Sequence, residues 1–195
     1  MANEDADRAR DIEAALGWLA AQPIAVHQDD WCVTVEGIAG RCRRLVSASR
    51  RDAERAGQPE PEWLVVVDYV QLVRGDANRV ENRQVEVSAI SRRMKLLSRE
   101  LGCPVVVAAQ LRRYEAERAP RLDDLRESGS LEQDADAVIM IDREYKRREH
   151  DADWCAQHDH MAAWADLHVA KQRDGATGVA LCVYDDATGR LRTAG

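Results

Sequence analysis

Residues 63–73 read WLVVVDYVQLV, and this stretch decides the architecture predicted for the chain. Four apolar residues, Leu64–Val67, run without a polar interruption and end on Asp68. The β-branched valines favour a strand, and the continuous apolar run predicts burial on both faces, as in a parallel sheet covered by helices. Open α/β sheets bind ligands at the carboxyl ends of their strands, so Asp68 is a candidate ligand-binding residue. The alternative is a strand-end aspartate that is simply solvated.

A helix and a second strand are predicted after this stretch. Val105–Ala109 is the second apolar strand, and it ends on Gln110. Gly102 is expected to end the helix before it, whose apolar positions recur at spacings of three and four: Val87, Ile90, Met94, Leu97 and Leu101. Strand, helix and strand then form a βαβ unit with a right-handed crossover in a parallel sheet. Asp68 and Gln110 would lie at the same edge of that sheet.

Two further helices are predicted nearer the amino terminus. Helical spacing predicts a short helix over Asp11–Ala21, and Ile24–Val26 is expected to form a short strand. Thr34 is a candidate N-cap for a second helix, which has apolar positions at Val35, Ile38, Ala39, Cys42, Leu45 and Val46. The arginines on the other face of that helix are interpreted as a solvated surface rather than a nucleic-acid patch.

The carboxyl-terminal part is expected to add antiparallel hairpins to the sheet. Ala137–Ile141 is predicted as a third strand, and residues 143–163 as an irregular, charged insertion. Trp164–Lys171 alternates between apolar and polar residues, and Val179–Tyr184 and Leu191–Thr193 follow after turn-rich segments. Alternating strands joined by such turns are typical of hairpins.

The composition limits the classes of function. The formal net charge is −7, so any binding of nucleic acid must come from a local patch or from backbone amides. The five cysteines form no C-x-x-C pair, which fits a reduced protein of the cytoplasm. The sequence has no run near the ~18 apolar residues that a membrane span needs. We therefore expect a cytoplasmic protein.

Four motifs in order resemble one family: VVVDYVQL, PVVVAAQLRR, LDDLRESGSLEQDAD and KQRDGATG. Together they resemble the carboxyl-terminal ATPase domain of bacterial replicative DNA helicases of the DnaB type, which are hexameric, RecA-like motors. The resemblance covers about residues 24–192. It implies an α/β fold with a RecA-like P-loop NTPase core, a mainly parallel sheet and antiparallel hairpins, so residues 1–195 are interpreted as a single, partial domain.

The resemblance also implies roles in using ATP and Mg²⁺. Asp68 matches the Walker B aspartate, which in the family helps to hold Mg²⁺, and metal ions need such a hard oxygen ligand at a fixed place. Gln110 matches the polar sensor that links the state of the γ-phosphate to the DNA loops. Lys171 and Arg173 match the pair that reaches into the neighbouring subunit's nucleotide site, where an arginine stabilises the charge of phosphoryl transfer.

The resemblance also implies that the chain binds single-stranded DNA. Arg126, Glu127 and Gly129 fall in the loop that lines the family's central channel. A motor that ignores sequence is expected to contact the backbone rather than the bases. Glycine and serine at Ser128–Ser130 allow main-chain N–H groups to approach a phosphate closely.

The chain is expected to begin after the family's phosphate loop and after the next strand, which carries the catalytic glutamate, and to lack the family's amino-terminal domain. It contains no G-x-x-x-x-G-K-[ST] phosphate loop, and none of its three lysines follows a glycine. In the family, the strand of that loop lies between the strands that match Val105–Ala109 and Ala137–Ile141. Without it, these two strands are expected either to pair directly or to leave open apolar edges, which invite association. We therefore expect a hexameric ring or a P-loop-bearing partner segment to complete the protein.

Three functions remain open at this point. The first is a part of an ATP-driven helicase that unwinds DNA 5′ to 3′; this chain alone is then expected to be inactive. The second is a non-catalytic module that binds DNA or helicase subunits. The third is another RecA-like ATPase such as a recombinase, against which the RESGSLEQDAD stretch argues.

Weaker signals lie in the charged insertion. Cys155, His158 and His160 suggest a metal site, but their C-x-x-H-x-H spacing is not a regular zinc pattern, so a solvated loop is favoured. Trp154 and Trp164 could stack on bases; partial burial at loop ends is the favoured alternative.

Overall fold

The computed structural model describes residues 2–28, 34–75, 82–112, 114–115, 117–125 and 129–194. The chain divides into two compact units, residues 1–32 and 33–195. In the first unit, helix α1 (Ala2–Ala20) begins earlier than predicted. The strand predicted over Ile24–Val26 is wrong, because these residues have no strand conformation and no strand pairs with them in the described part of the chain. Ile24 and Val26 are exposed.

Helix α2 (Val35–Ala56) opens the second unit and has the predicted N-cap. The Thr34 hydroxyl accepts a hydrogen bond from the amide of Gly37 at 3.1 Å, which satisfies one of the free N–H groups of the first turn. Val35, Ala39 and Val46 are buried along one face. The amphipathic pattern of this segment therefore forms the core-facing helix that it predicts.

The predicted βαβ unit is confirmed. Strand β1 (Val65–Val67), helix α3 (Arg83–Leu101) and strand β2 (Val105–Val107) follow one another, and the two strands pair in parallel with Val66 opposite Val106. Gly102 ends α3 at φ +66°, a conformation that glycine adopts without steric cost. All five predicted apolar positions of α3 are buried.

The two parallel strands are buried on one face only, so the prediction of burial on both faces is wrong. Val65, Val67, Val105 and Val107 belong to the hydrophobic core or pack against it with residues of α2 and α3. On the opposite face Leu64, Val66 and Val106 are 58%, 62% and 50% exposed. In the described residues, both helices lie on the same side of the strand pair, because their apolar residues share one core with its inner face.

The remaining strands form a separate sheet. Strands β3 (Ala137–Asp142), β4 (Trp164–Gln172), β5 (Gly178–Asp185) and β6 (Arg190–Thr193) pair antiparallel in the order β3-β4-β5-β6. The predicted hairpins are therefore confirmed, but the prediction that they extend the parallel sheet is wrong, because in the described residues no strand of one sheet pairs with a strand of the other. In the described residues, β3 pairs with β4 and not with β2, and one of the four strand pairs is parallel. Short helix α4 (Gly129–Asp134) precedes β3 and contacts α3.

The prediction that the charged insertion is irregular is wrong. It contains the short helices α5 (Glu144–Arg147) and α6 (Ala152–Gln157) and a 3₁₀ turn, Asp159–Met161. The guanidinium of Arg147 donates to both oxygens of the buried Asp142 carboxylate at 2.9 Å. This ion pair fixes α5 to the end of β3, a contact that helical or strand periodicity does not encode.

Candidate functional site

Asp68 and Gln110 lie at the carboxyl edge of the parallel strand pair, as predicted. Past the end of β1, the amide of Ala108 donates to the carbonyl of Val67 and the amide of Val70 donates to the carbonyl of Ala108, each at 2.9 Å. The two segments therefore stay hydrogen-bonded to each other beyond the ends of the strands. The peptide bond between Asp68 and Tyr69 is cis.

Gln71 ties the two strand ends together and was missed by the sequence reasoning. Its side-chain amide donates to the Gln110 carbonyl at 3.2 Å and accepts from the Gln110 amide at 3.3 Å. The two bonds fix the backbone of Gln110 relative to the turn after Asp68. Gln71 lies three residues after Asp68 within the VVVDYVQL motif, so the signal was present in a stretch already singled out.

The Asp68 carboxylate is exposed, and it makes no hydrogen bond or ion pair with any residue that the structure describes. No group of three or more potential metal ligands occurs among the described residues. A single carboxylate fits a Mg²⁺ ion, because Mg²⁺ keeps several waters and is commonly held by one or two carboxylates together with nucleotide phosphates. The residues present therefore fit a metal that arrives with a nucleotide.

Lys171 lies within β4, at the end of the alternating segment predicted over Trp164–Lys171. Its ammonium group donates to the main-chain carbonyls of Glu132 and, at 3.3 Å, of Gln133. Both carbonyls belong to the last turn of α4, where helix carbonyls lack partners inside the helix. Lys171 therefore caps α4 and fixes that helix to the sheet.

Arg173 follows the end of β4 and also has partners in its own chain. Its guanidinium lies 3.2 Å from the Asp136 carboxylate, and its amide donates to the Asp136 carbonyl at 2.8 Å. The ammonium group of Lys95, on α3, binds the same carboxylate. These contacts, the hydrogen bond of Lys95 first among them, lower the pKa of Asp136.

The predicted DNA loop is only partly described. Arg126 and Glu127 lie outside the described residues. Gly129 begins α4, and a Cβ atom built on it would meet open space. The next residue, Ser130, donates through its hydroxyl to the Ser88 hydroxyl of α3 at 2.8 Å. The amino-terminal end of α4 is thus anchored on α3 while Gly129 stays exposed.

Asp124 is a second residue that the sequence reasoning missed. Its side chain is fully buried and receives two hydrogen bonds from Arg118, at 2.6 and 2.7 Å, and one from the amide of Arg121 at 2.8 Å. Arg112 adds a longer contact at 3.3 Å. The hydrogen bonds from Arg118 are the main reason why the pKa of Asp124 lies far below its usual range.

The segment around this buried carboxylate joins the residues after Gln110 to those before Arg126. The amide of Arg112 donates to the Asp124 carbonyl at 2.8 Å, and Leu111 forms an antiparallel bridge with Leu125. The residues that follow Gln110 are thereby joined to those that precede Arg126. The pair Asp123–Asp124 lies in the third motif, but nothing in the pattern distinguishes the buried aspartate from the exposed one.

The residues considered for a metal site have other partners. The Cys155 thiol donates to the Arg148 carbonyl at 3.4 Å, and Nδ1 of His158 lies 2.8 Å from the Trp154 carbonyl. The His158 ring also stacks on Trp154, with centroids 4.2 Å apart and planes 10° apart. Trp154 is half-buried, as predicted, whereas Trp164 is 38% exposed.

The helices of the described residues include none long and apolar enough to cross a membrane.

A parallel βαβ unit with an acid and an amide at its carboxyl edge, followed by antiparallel strands, defines an α/β domain of the RecA-like ATPase class. The family model of the DnaB-like helicase C terminal domain matches residues 2–193, so the chain belongs to that family. Two solved structures have the same fold. One is the ATPase domain of G40P, with a TM-score of 0.75 and 26% identity. The match covers 94% of this chain and 59% of the G40P chain.

The second structure is that of a DnaB-like replicative helicase and its interactions with primase, with a TM-score of 0.70 and 27% identity over 92% of this chain and 40% of its own. Relatives include the replicative DNA helicase DnaB of Leifsonia xyli subsp. xyli, 40% identical over 169 residues, and that of Mycobacterium leprae, 47% identical over 131 residues. The matches cover 85% and 66% of this chain. The chain spans 32% and 20% of the length of these two relatives.

Proposed function

We propose that this chain is the part of an ATP-dependent replicative DNA helicase that contacts the metal, the DNA and the neighbouring subunit. The observation that carries the proposal is the juxtaposition of Asp68 and Gln110 at one sheet edge, with Gln71 bonded to the Gln110 backbone. Membership of the DnaB-like helicase family supports it, and so does the name replicative DNA helicase given to the relatives.

Asp68 would hold the Mg²⁺ ion that arrives with ATP. A Mg²⁺ ion held there would supply positive charge to offset the negative charge of phosphoryl transfer. The exposed Asp68 carboxylate is available for this role, because no described residue pairs with it. Gln110 would respond to the γ-phosphate, and the bonds between Gln71 and its backbone restrict where its side chain can reach.

Arg126, Glu127 and Gly129 would form the contact with single-stranded DNA. Gly129 supports this role because it is exposed at the amino-terminal end of α4 and a side chain is absent there. Main-chain N–H groups without a Cβ nearby can approach a phosphate closely. The buried Asp124 network precedes the loop and supplies a fixed base for it.

Lys171 and Arg173 would act on the nucleotide of a neighbouring subunit in a hexameric ring. In the isolated chain their charges are engaged by the carbonyls of α4 and by Asp136. To reach a neighbour's phosphates, these side chains must exchange those partners for phosphate oxygens. The trans role therefore includes a change of partners that also releases the carboxyl-terminal end of α4.

Binding of labelled single-stranded DNA by the purified chain tests the proposal. Fluorescence anisotropy with several 20-nucleotide sequences should give similar affinities, and each affinity should fall as salt rises, because phosphate contacts displace counterions. A chain that is folded by circular dichroism but binds no single strand at low salt would contradict the proposal. A strong preference for one base sequence would contradict the assigned backbone contact.

A further inference from the structure

A stripe of apolar side chains is exposed on one face of the antiparallel sheet. Trp164, Leu181 and Val179 are 38%, 42% and 60% exposed. They share a face because Trp164 lies opposite Val183 on β5, and residues two apart on a strand point to the same side. Contiguous apolar side chains on a protein surface mark contacts with another molecule, whereas single ones do not.

A small pocket lined with carboxylates adjoins this stripe on the side of β4. Its lining includes Trp164, Leu181, Asp166, Tyr145 and Glu144. Asp166 shares the face of the stripe, since it lies opposite Leu181 in the register. Its carboxylate makes no hydrogen bond or ion pair with any residue in the described part of the chain. Aromatic rings beside a carboxylate suit a guanidinium group, which stacks on the rings and pairs with the charge.

Arginines lie on the same face, on the opposite side of the stripe. Arg192 of β6 lies opposite Val183, and Arg190 lies opposite Asp185. Both arginines are exposed. The Arg192 side chain is 66% exposed and approaches the Asp185 carboxylate only to 3.7 Å. Such exposed ion pairs contribute little to stability, so Arg192 can exchange this partner for another carboxylate.

We propose that this face binds the same face of a second copy of the chain in a two-fold symmetric contact. Such a contact needs a surface that is complementary to itself. The face meets this condition because its centre is apolar, its β4 side carries Asp166 and its β6 side carries Arg192. A rotation of 180° about an axis along β5 places β4 of one copy over β6 of the other. Arg192 of each copy then approaches Trp164 and Asp166 of the other copy.

The charges favour a second copy over an unrelated partner. A basic partner would fit the side of Asp166 but would be repelled by Arg190 and Arg192, and an acidic partner would meet the reverse problem. The contact is also different from that of a ring, because rings need head-to-tail contacts between two different surfaces, whereas a two-fold contact uses one surface twice. The inference therefore does not rest on the proposed function.

The size of the face sets the expected strength of the contact. Strand spacing and rise give the face of β4, β5 and β6 dimensions of roughly 30 by 14 Å, so a dimer would bury about 800 Å² in total. This is at the low end of the areas found for specific contacts. We therefore expect a weak, reversible dimer with a dissociation constant of about 10–100 µM.

Analytical ultracentrifugation of the purified chain, at about 5–500 µM, tests the inference. We expect an equilibrium between monomer and dimer. Leu181→Glu places a charge in the apolar centre and should weaken the dimer at least about tenfold. Ile139→Glu is the matched control, since Ile139 is 62% exposed but lies opposite Val169, three residues from Asp166 on β4, and so on the other face of the sheet. It should leave the dissociation constant within about twofold of wild type.

An exchange of charges tests the pairing across the two-fold axis. Asp166→Arg and Arg192→Asp should each weaken the dimer at least about fivefold, because each places like charges opposite one another. The double variant restores opposite charges and should dimerise within about threefold of wild type. An effect of net charge alone would differ, because Asp166→Arg removes one negative charge and adds one positive charge. The net charge then changes from −7 to −5, which would strengthen association.

Three results would overturn the inference. One is a chain that stays monomeric at the highest concentration. Another is a dimer that Ile139→Glu abolishes and Leu181→Glu does not, which would assign the contact to the opposite face. The third is a double charge variant that is folded by circular dichroism and dimerises no better than the single variants. Binding of single-stranded DNA is measured separately at low chain concentration, so failure of the proposed function and failure of this inference are distinguishable.

Discussion

Replacement of Asp124 by asparagine tests whether the buried carboxylate stabilises the segment between Gln110 and Arg126. Asn keeps the size of the side chain but removes the charge that receives two hydrogen bonds from Arg118 and one from the Arg121 amide. Removing one partner of a buried ion pair typically costs about 3–5 kcal/mol. Asn can still accept one of these hydrogen bonds, so we expect a loss of about 3 kcal/mol in the free energy of unfolding.

Urea denaturation followed by circular dichroism measures the loss. With a slope of about 2 kcal/mol/M, a loss of that size lowers the midpoint by roughly 1.5 M. Asp123→Asn is the matched control, because it removes the same charge one residue away from an exposed side chain, and it should change stability by less than about 0.5 kcal/mol. Equal midpoints for the two variants would refute the assignment of Asp124 as a stabilising buried charge.

The pH dependence of the folding stability tests independently whether the charge of Asp124 stabilises the protein. The folded-state pKa of Asp124 is depressed, chiefly by the hydrogen bonds from Arg118. Its contribution to stability is therefore fully present above the unfolded pKa of about 3.9 and is lost as pH falls through the lower, folded pKa. The difference in stability between wild type and Asp124→Asn should be constant from about pH 5 to pH 8 and should shrink below about pH 4. A difference that grows in acid would contradict this reasoning.

Three further predictions concern the proposed function. The purified chain should hydrolyse no ATP above background, with or without single-stranded DNA, because the sequence has no phosphate loop to position the β- and γ-phosphates; hydrolysis that Asp68→Asn abolishes would contradict this. Arg126→Ala should weaken binding of all single-stranded sequences about equally and reduce the slope of log affinity against log salt by roughly one, whereas Arg55→Ala, on the exposed face of α2, should leave the slope unchanged. In mixed rings, Arg173→Ala subunits should reduce hydrolysis at adjacent wild-type sites, by about 10³-fold or more if the arginine acts in trans; a loss of ATPase activity only in proportion to the variant's own sites would exclude that role.

The local elements of this fold could be predicted from the sequence because their signals lie within a few residues of one another. Thr34 caps α2, Gly102 ends α3, and the valine runs at 65–67 and 105–107 form strands as expected. Each of these depends on side-chain spacing or on backbone freedom at one position. The placement of Asp68 and Gln110 at the same edge then follows from the geometry of a parallel βαβ unit.

What the tertiary structure decided are the features that need a partner far away in the chain. Ile24–Val26 has strand propensity but no strand beside it in the described residues, and Val66 lies in an apolar run but has no covering layer. Lys171 caps a helix that is 38 residues away in sequence. Asp124 is buried while its neighbour Asp123 is exposed. Burial, ion pairing and strand pairing depend on which surfaces meet, and the periodicity of a segment does not specify its partner.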